Sequence, residues 1–210
     1  MLRYGVKVRP DIGENHITVD VIDWKNAANN HFAIAEEVTV IIAEHTKRPD
    51  IVIYINGIAL GVIELKKCTV SVSEGIRQNL DNQSTRFIRE FFSTMQLVMA
   101  GNDAEGLRYG TIETPEKYYL TWKEEGGPEN ILDRHILQIA EKSRILDLIH
   151  NFIVYDSGIK KLARPHQYFG IKKAQEYLTR KEGGIIWHTQ GSGKSLTMVW
   201  LAKWIRGNLG

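Results

Sequence analysis

Two apolar runs, Ile51–Ile55 (IVIYI) and Ala59–Leu65 (ALGVIEL), meet at Asn56-Gly57, and this segment restricts the fold more than any other stretch of the chain. Asn-Gly between such runs specifies a hairpin, because both residues accept the left-handed backbone that a tight turn between twisted strands requires. The second run is apolar at consecutive positions, which predicts a strand buried on both faces. A central strand of that kind, among helical segments, points to an α/β protein.

The rest of the chain reads consistently with that class. Tyr4–Val8, His16–Ile22, Val38–Ala43, Gln96–Ala100, Leu107–Thr111 and Tyr118–Trp122 have strand character. Helices are expected from Ser73, as N-cap, to about Arg89, and within Ile131–Ile153, where Ser143 caps a second helix. Asp156-Ser157-Gly158 breaks the pattern, the basic Lys160–Arg164 reads as a solvated linker, and a helix runs from Pro165 to about Arg180. Hydrophobic residues at 43% and charged residues at 25% exclude a disordered, collagen-like or disulfide-scaffold chain. No apolar run reaches the roughly 18–20 residues needed to cross a bilayer. The single cysteine, Cys68, can form no internal disulfide, so a reducing compartment is expected. A net charge of +2 neither demands nor excludes a nucleic-acid partner.

The ends of the central hairpin carry charge. Pro49-Asp50 is followed by 13 residues and then Glu64-Leu65-Lys66. Glu64 and Lys66 lie two apart in a strand and so share a face, at the end of a run that is otherwise buried. Two carboxylates and a lysine are the parts of a Mg²⁺-dependent phosphodiester hydrolase: the carboxylates hold the metal, and the lysine helps activate water or stabilise the developing charge. The hairpin supplies a geometric condition. A regular two-residue turn pairs Ile55 with Ile58 and sets Asp50 against Ile63, with Glu64 on the opposite face. The hydrolase reading therefore requires an odd-numbered loop or a β-bulge, either of which brings Asp50 onto the face of Val62, Glu64 and Lys66.

Residues 188–195 read His-Thr-Gln-Gly-Ser-Gly-Lys-Ser, the phosphate-loop pattern with His188 in the first glycine's place. Gly191, Ser192 and Gly193 would let backbone N–H groups converge on a polyphosphate, Lys194 would neutralise it, and Ser195 would hold Mg²⁺. An expected strand, Ile185–His188, precedes the loop and an expected helix (Leu196, Val199, Trp200, Lys203) follows it. Gln167 could read adenine through its amide edge or could be an exposed helix-start residue. The 15 residues after Ser195 contain no acidic side chain, so the expectation is that this stretch does not complete an ATP-hydrolysing site. The seven histidines show no metal-ligand spacing.

The two motifs together, PD…ELK at 49–66 and HTQGSGKS at 188–195, resemble the restriction subunit of type I restriction–modification enzymes. The resemblance extends over Ile22-Asp23-Trp24, Asn30–Val40, Arg48–Lys67, Gln96–Thr111 and Arg164–Ser195. It implies an α/β fold with a PD-(D/E)xK nuclease-like mixed sheet flanked by helices over residues 1–158. The first elements of a RecA-like helicase-type ATPase domain would then occupy 159–210. It also implies Mg²⁺-dependent cleavage of double-stranded DNA within an ATP-driven complex, with Mg²⁺ and ATP as cofactors. Partner modification (methyltransferase) and specificity subunits, and a cytoplasmic, prokaryotic setting away from membranes, follow from the same resemblance. Carried over by position, Asp50 and Glu64 become metal ligands, Lys66 the catalytic lysine, and Gln78 the glutamine of a Q-x-x-x-Y motif. The tyrosine position holds Asn82, while Gln83 and Phe87 offer the same spacing one turn later. The alternatives are an inert DNA- or ATP-binding module and a repair-type nuclease–helicase.

Overall fold

The computed structural model describes residues 2–208. In chain order its strands and helices are β1 (Val6–Val8), β2 (Ile17–Val19), β3 (Phe32–Glu36), β4 (Val40–Ile42), β5 (His45–Lys47), β6 (Ile51–Ile55), β7 (Ile58–Leu65) and α1 (Val72–Asn82). Then come β8 (Leu97–Asn102), β9 (Gly106–Gly110), β10 (Leu120–Thr121), α2 (Ile131–Ile139), α3 (Lys142–Asn151), β11 (Ile153–Asp156), β12 (Ile159–Leu162), α4 (Pro165–Thr179) and α5 (Lys194–Asn208). The mixed α/β class read from the sequence is the one adopted. A six-stranded sheet has the order β10-β9-β8-β7-β6-β3, and within it β7 and β8 pair in parallel while the other neighbours are antiparallel. A parallel pair needs a crossover, and here it runs through α1. No helix among the described residues is long and apolar enough to cross a membrane.

β7 lies mid-sheet and is covered on both faces. Ile53, Ile55, Leu60, Ile63, Leu97 and Met99 point into one core, which α2, α3 and α4 help to cover with Ile139, Leu148 and Ile171. Val52, Val62 and Val98 point the other way, against Ile88, Phe92 and Met95. Farther along that second face Ala100 meets Val72 and Ile76 of α1. Consecutive apolar residues in β7 are thus the record of two cores, not one.

The hairpin satisfies the geometric condition by the second of its two routes. Asn56 (φ 50°) and Gly57 (φ 79°) form a two-residue turn that pairs Ile55 with Ile58, not a three-residue loop. Tyr54 pairs with Ala59 but Ile53 pairs with Gly61, so Leu60 is an extra residue, a β-bulge. The carbonyls displaced from the ladder are satisfied by the segment before β8: Thr94 Oγ1 donates to Ala59 O at 2.6 Å and Gln96 N–H to Leu60 O at 2.8 Å. Beyond the bulge Ile51 faces Ile63, which sets Asp50 level with Glu64. The turn itself is braced, since Asn56 accepts from His31 N–H (2.7 Å) and donates to Val21 O (2.9 Å) and Asn30 Oδ1 (2.8 Å).

Other expectations shift by local chemistry. Ser71, not Ser73, caps α1 by accepting from Ser73 N–H, and the helix ends at Asn82 rather than Arg89, followed by a 3₁₀ turn over Arg89–Ser93. Glu141 rather than Ser143 caps α3, its carboxylate accepting from Ser143 and Arg144 N–H. Val40–Ile42 leaves the main sheet to pair with β5 in a separate hairpin, and β3 takes the place beside β6. The break at Asp156-Ser157-Gly158 is the turn of the β11–β12 hairpin. Lys160 is no solvated linker residue: it is buried, and its Nζ donates to Met95 O (3.0 Å) and Gln96 Oε1 (2.7 Å). Residues 183–190 form no strand, and Ile185 and Trp187 stand 90% and 89% exposed. A strand is defined by its neighbour, and none of the described residues pairs with this segment. Tyr168, Ile171 and Trp200 of α4 and α5 join the same core as Trp122 and Phe152.

Candidate functional site

The carboxylates converge at the end of the central hairpin. Asp50 enters β6 with its Oδ2 accepting from Leu65 N–H at 2.7 Å, a bond that spans the two strands and fixes the carboxylate beside Glu64. Glu64 is fully buried. Its Oε2 accepts from Gln78 Nε2 at 2.8 Å, and its Oε1 is buried with no hydrogen-bond partner. Lys66, two residues on, donates from Nζ to Gln78 Oε1 at 2.6 Å and lies 3.9 Å from Glu64 Oε2. The Gln78 amide therefore bridges the two ends of the site, with its NH₂ on the carboxylate and its carbonyl on the ammonium. The reverse orientation would set like against like.

Burial first, and then the neighbouring Asp50 charge, push the Glu64 carboxyl up to about 8, with Lys66 pulling weakly the other way. A carboxyl that is desolvated beside a second carboxylate resists losing its proton, and a cation at the same place relieves both effects. The unpartnered Oε1 and the acidic neighbour make this a fitting donor set for a hard divalent ion, which prefers oxygen ligands. Among the described residues, no group of three or more His, Cys, Asp and Glu side chains gathers around a common point. A metal held by Asp50 and Glu64 would have two side-chain ligands, and its remaining positions would fall to backbone, water or phosphate oxygen.

α1 reaches the site because of Gly75, which sequence reasoning overlooked. A Cβ there would lie 3.0 Å from Ala100 Cβ, 3.5 Å from Lys66 Cγ and 3.6 Å from Glu64 Cβ. The helix is locked against the sheet by Asn79 Nδ2, which donates to Met99 O at 2.9 Å, and at its start by Val72 N–H to Glu105 Oε1 at 3.0 Å. The available signal was a glycine inside a helical pattern three residues before Gln78, which costs helix stability unless close packing needs it. Asn82 is buried, with Oδ1 unpartnered. Gln83 is committed to Asn79 O (3.0 Å) and Glu113 N–H (2.6 Å), so Gln78 is the glutamine that meets Glu64 and Lys66. Glu36 and Glu37 are exposed, and Glu37 pairs with Arg48 at 3.5 Å.

The second motif forms a separate loop. Gly191 and Gly193 have φ of 76° and 86°, and α5 starts at Lys194, so Ser195 lies in its first turn. Gln167 is buried. Its Oε1 accepts from Arg164 N–H (2.9 Å), and its Nε2 donates to Gly193 O (3.0 Å), so its amide holds the loop. A Cβ on Gly193 would come within 2.6 Å of that Nε2. Lys194 Nζ turns back onto His188 O (3.2 Å) and Thr189 O (3.1 Å), and Ser192 Oγ is buried without a partner. A cleft of about 500 Å³ lies beside the loop, lined by Thr114, Tyr118, Lys161, Arg164, Gln167 and Gly193 among others.

Comparison with known proteins finds similarity to restriction enzymes. The family described as "Type I restriction enzyme R protein N terminus" matches residues 1–117, and the SWI2/SNF2 ATPase family matches residues 166–210. The chain is 32% identical to a putative type I restriction enzyme MjaVIIIP endonuclease subunit of Methanocaldococcus jannaschii, over 88% of this chain and 19% of that protein. It is 30% identical to the type I restriction enzyme HindI endonuclease subunit of Haemophilus influenzae, over 96% of this chain and 21% of that protein. The chain therefore spans about a fifth of the length of these curated relatives.

Proposed function

The chain belongs to the type I restriction enzyme R protein family, and from that premise we propose that it carries the endonuclease centre of such an enzyme, cutting double-stranded DNA with Mg²⁺ at Asp50, Glu64 and Lys66. The observation that carries this reading is the bulged hairpin. One extra residue, Leu60, brings Asp50 level with Glu64, and Gln78 then ties Glu64 to Lys66. Motifs 13 residues apart in sequence become one site in space.

The work of each residue follows from its surroundings. Asp50 and Glu64 hold the divalent ion, which when bound supplies Lewis acidity to a phosphodiester oxygen and lowers the pKa of attacking water. Asp50 is oriented by Leu65 N–H, which leaves its other carboxylate oxygen available to an ion. Lys66 brings positive charge to the same side as the carboxylates, where negative charge builds on phosphorus-bound oxygen as the bond to water forms. Gln78 holds the lysine ammonium and the Glu64 carboxyl side by side, with their nearest atoms 3.9 Å apart, so that both are oriented for substrate.

The phosphate loop supports a second role, ATP binding with Mg²⁺. Gly191–Ser195 would cradle the polyphosphate, with Lys194 released from the loop carbonyls to meet it, and Gln167 would register the loop's conformation. The two matched segments support two functional parts, a nuclease-like part over 1–158 and the opening of a RecA-like motor over 159–210. Modification and specificity subunits of a type I complex are the proposed partners. The test is Mg²⁺-dependent nicking of supercoiled plasmid by the chain, by Asp50→Ala and by Lys66→Ala. Nicking by the unaltered chain alone is expected. Equal nicking by all three removes the site assignment, and no nicking by any of them favours a binding module.

A further inference from the structure

Beside the carboxylates stands a cation that neither motif includes. Lys47 ends β5, three residues before Asp50, a span of about 10 Å of extended chain. Strand alternation puts His45 and Lys47 on one face, and both meet Phe87: the His45 ring packs edge-on at 5.8 Å, and Lys47 Nζ sits 4.1 Å from the Phe87 centroid. The charge of Lys47 is felt at Glu64, where it acts in the same direction as Lys66. The cations around it are already engaged, Arg48 by Glu37 and Lys66 by Gln78. Among the described residues Lys47 has no carboxylate or hydrogen-bond acceptor. An aromatic face holds an ammonium in place through its quadrupole but does not neutralise it. The result is a positive charge positioned by an aromatic ring, with no direct ion-pair partner among the described residues, within electrostatic reach of an acidic site and open to an anion that lies across it.

We propose that Lys47, seated on Phe87, is a substrate-positioning residue that takes a backbone phosphate of the DNA strand next to the scissile bond. The proposal rests on the nuclease reading for the identity of the anion. Lys47 does not touch the reacting atoms. It offsets the repulsion between the Asp50–Glu64 pair and an incoming polyanion, and it sets the strand's register over Lys66.

The test is equilibrium binding of the chain to a short DNA duplex in EDTA, with salt varied between about 50 and 200 mM, for the unaltered chain, Lys47→Gln and Lys47→Arg. Removing one phosphate contact is expected to lower the slope of log K against log salt by about 0.9 and to weaken binding about five- to tenfold near 0.1 M salt. Arginine, which keeps the charge, should restore most of both, and the loss of salt slope in Lys47→Gln is the readout that a merely structural lysine would not move. Circular dichroism melts identify any variant that loses its fold, and the arginine variant keeps the test decisive in that case. An unchanged slope and affinity in Lys47→Gln, or no DNA binding by the unaltered chain, overturns the proposal. If Lys47→Gln binds normally while Asp50→Ala and Lys66→Ala abolish nicking, Lys47 is excluded and the nuclease site stands. If Lys47→Gln loses its salt slope while Asp50→Ala and Lys66→Ala nick like the unaltered chain, the phosphate contact stands and the nuclease site fails.

Discussion

Glu64→Gln is expected to stabilise the metal-free protein, and to do so in a pH-dependent way. Folding takes this carboxyl from its ordinary 4.5 to about 8, by burial and by the Asp50 charge. In the fold it keeps its proton across a range in which the unfolded chain has released it. With more protons bound folded than unfolded, stability falls as pH rises, at about 1.4 kcal/mol per pH unit. The loss begins at pH 4.5 and is complete above about pH 8. By neutral pH it amounts to about 3 kcal/mol, and above the window to about 5 kcal/mol. Glutamine has nearly the same shape and no charge. Its carbonyl can accept from Gln78 Nε2 as Glu64 Oε2 does now, and its NH₂ can donate to Asp50. Urea unfolding in EDTA at several pH values, with both proteins in the same buffers, gives the difference directly. It should be small at pH 4.5, about 3 kcal/mol at pH 7, and level above pH 8. A difference that stays constant from pH 5 to pH 9 would refute the claim that Glu64 is buried as a protonated acid beside Asp50.

Three further outcomes follow from the same geometry. Mg²⁺ should raise the melting temperature of the unaltered chain more at pH 8 than at pH 5, because it replaces the Glu64 proton. Thermal shift on Asp50→Ala should show little of this effect, and an equal shift there would place the ion elsewhere. Asn56→Ala removes three side-chain hydrogen bonds and leaves alanine at φ 50°, so it should cost about 2–4 kcal/mol in urea unfolding. A loss below about 0.5 kcal/mol would mean that the turn does not depend on these bonds. Gly75→Ala gains about 1 kcal/mol of helix propensity and loses about 1–3 kcal/mol to overpacking against Ala100. Its stability should stay within about 2 kcal/mol of the original. Plasmid nicking should nevertheless fall at least about tenfold as Gln78 is drawn off Glu64, since an ångström of misplacement costs on the order of a hundredfold. Undiminished nicking would show that Gln78 tolerates a displaced helix.

The central hairpin was the most legible part of the fold because its signals reinforce one another. Asn-Gly set the turn, consecutive apolar residues set the double burial, and the parity argument required an odd-numbered loop or a bulge. What the sequence could not say was how the bulge arises, since Leu60 differs in no visible way from its neighbours. The carbonyls of Ala59 and Leu60 at the bulge are satisfied by Thr94 and Gln96, some 35 residues on, through a non-local contact. Ser71 and Ser73 are equivalent to a capping rule that reads types and spacing. Glu105, reaching Val72 N–H from β9's approach, distinguishes them in the fold. Val38–Ala43 has strand composition, but composition does not name the partner strand, and Phe32–Glu36 took the place beside β6. At the site, Asp50, Glu64, Lys66 and Gln78 were all named in advance and lie together. Gly75 and Lys47 were not named, because a space-making glycine and a cation on an aromatic ring follow no linear pattern. Lys160 misled for the complementary reason: basic neighbours imply solvent, and only the fold shows the Met95 and Gln96 oxygens that receive it.

Leu60 also limits what alignment can certify about relatives of this chain. Deleting it would leave Pro49-Asp50 and Glu64-Leu65-Lys66 intact as text and change their spacing by a single position. Yet the shorter hairpin would keep Ile53 opposite Gly61 and Asp50 level with Glu64 without any bulge, whereas a regular ladder at the present length would turn Glu64 toward the aliphatic core of Ile63 and Leu97. Two sequences with identical motifs and different spacing can therefore share one register. Spacing and ladder regularity together, rather than either alone, decide whether the two carboxylates meet.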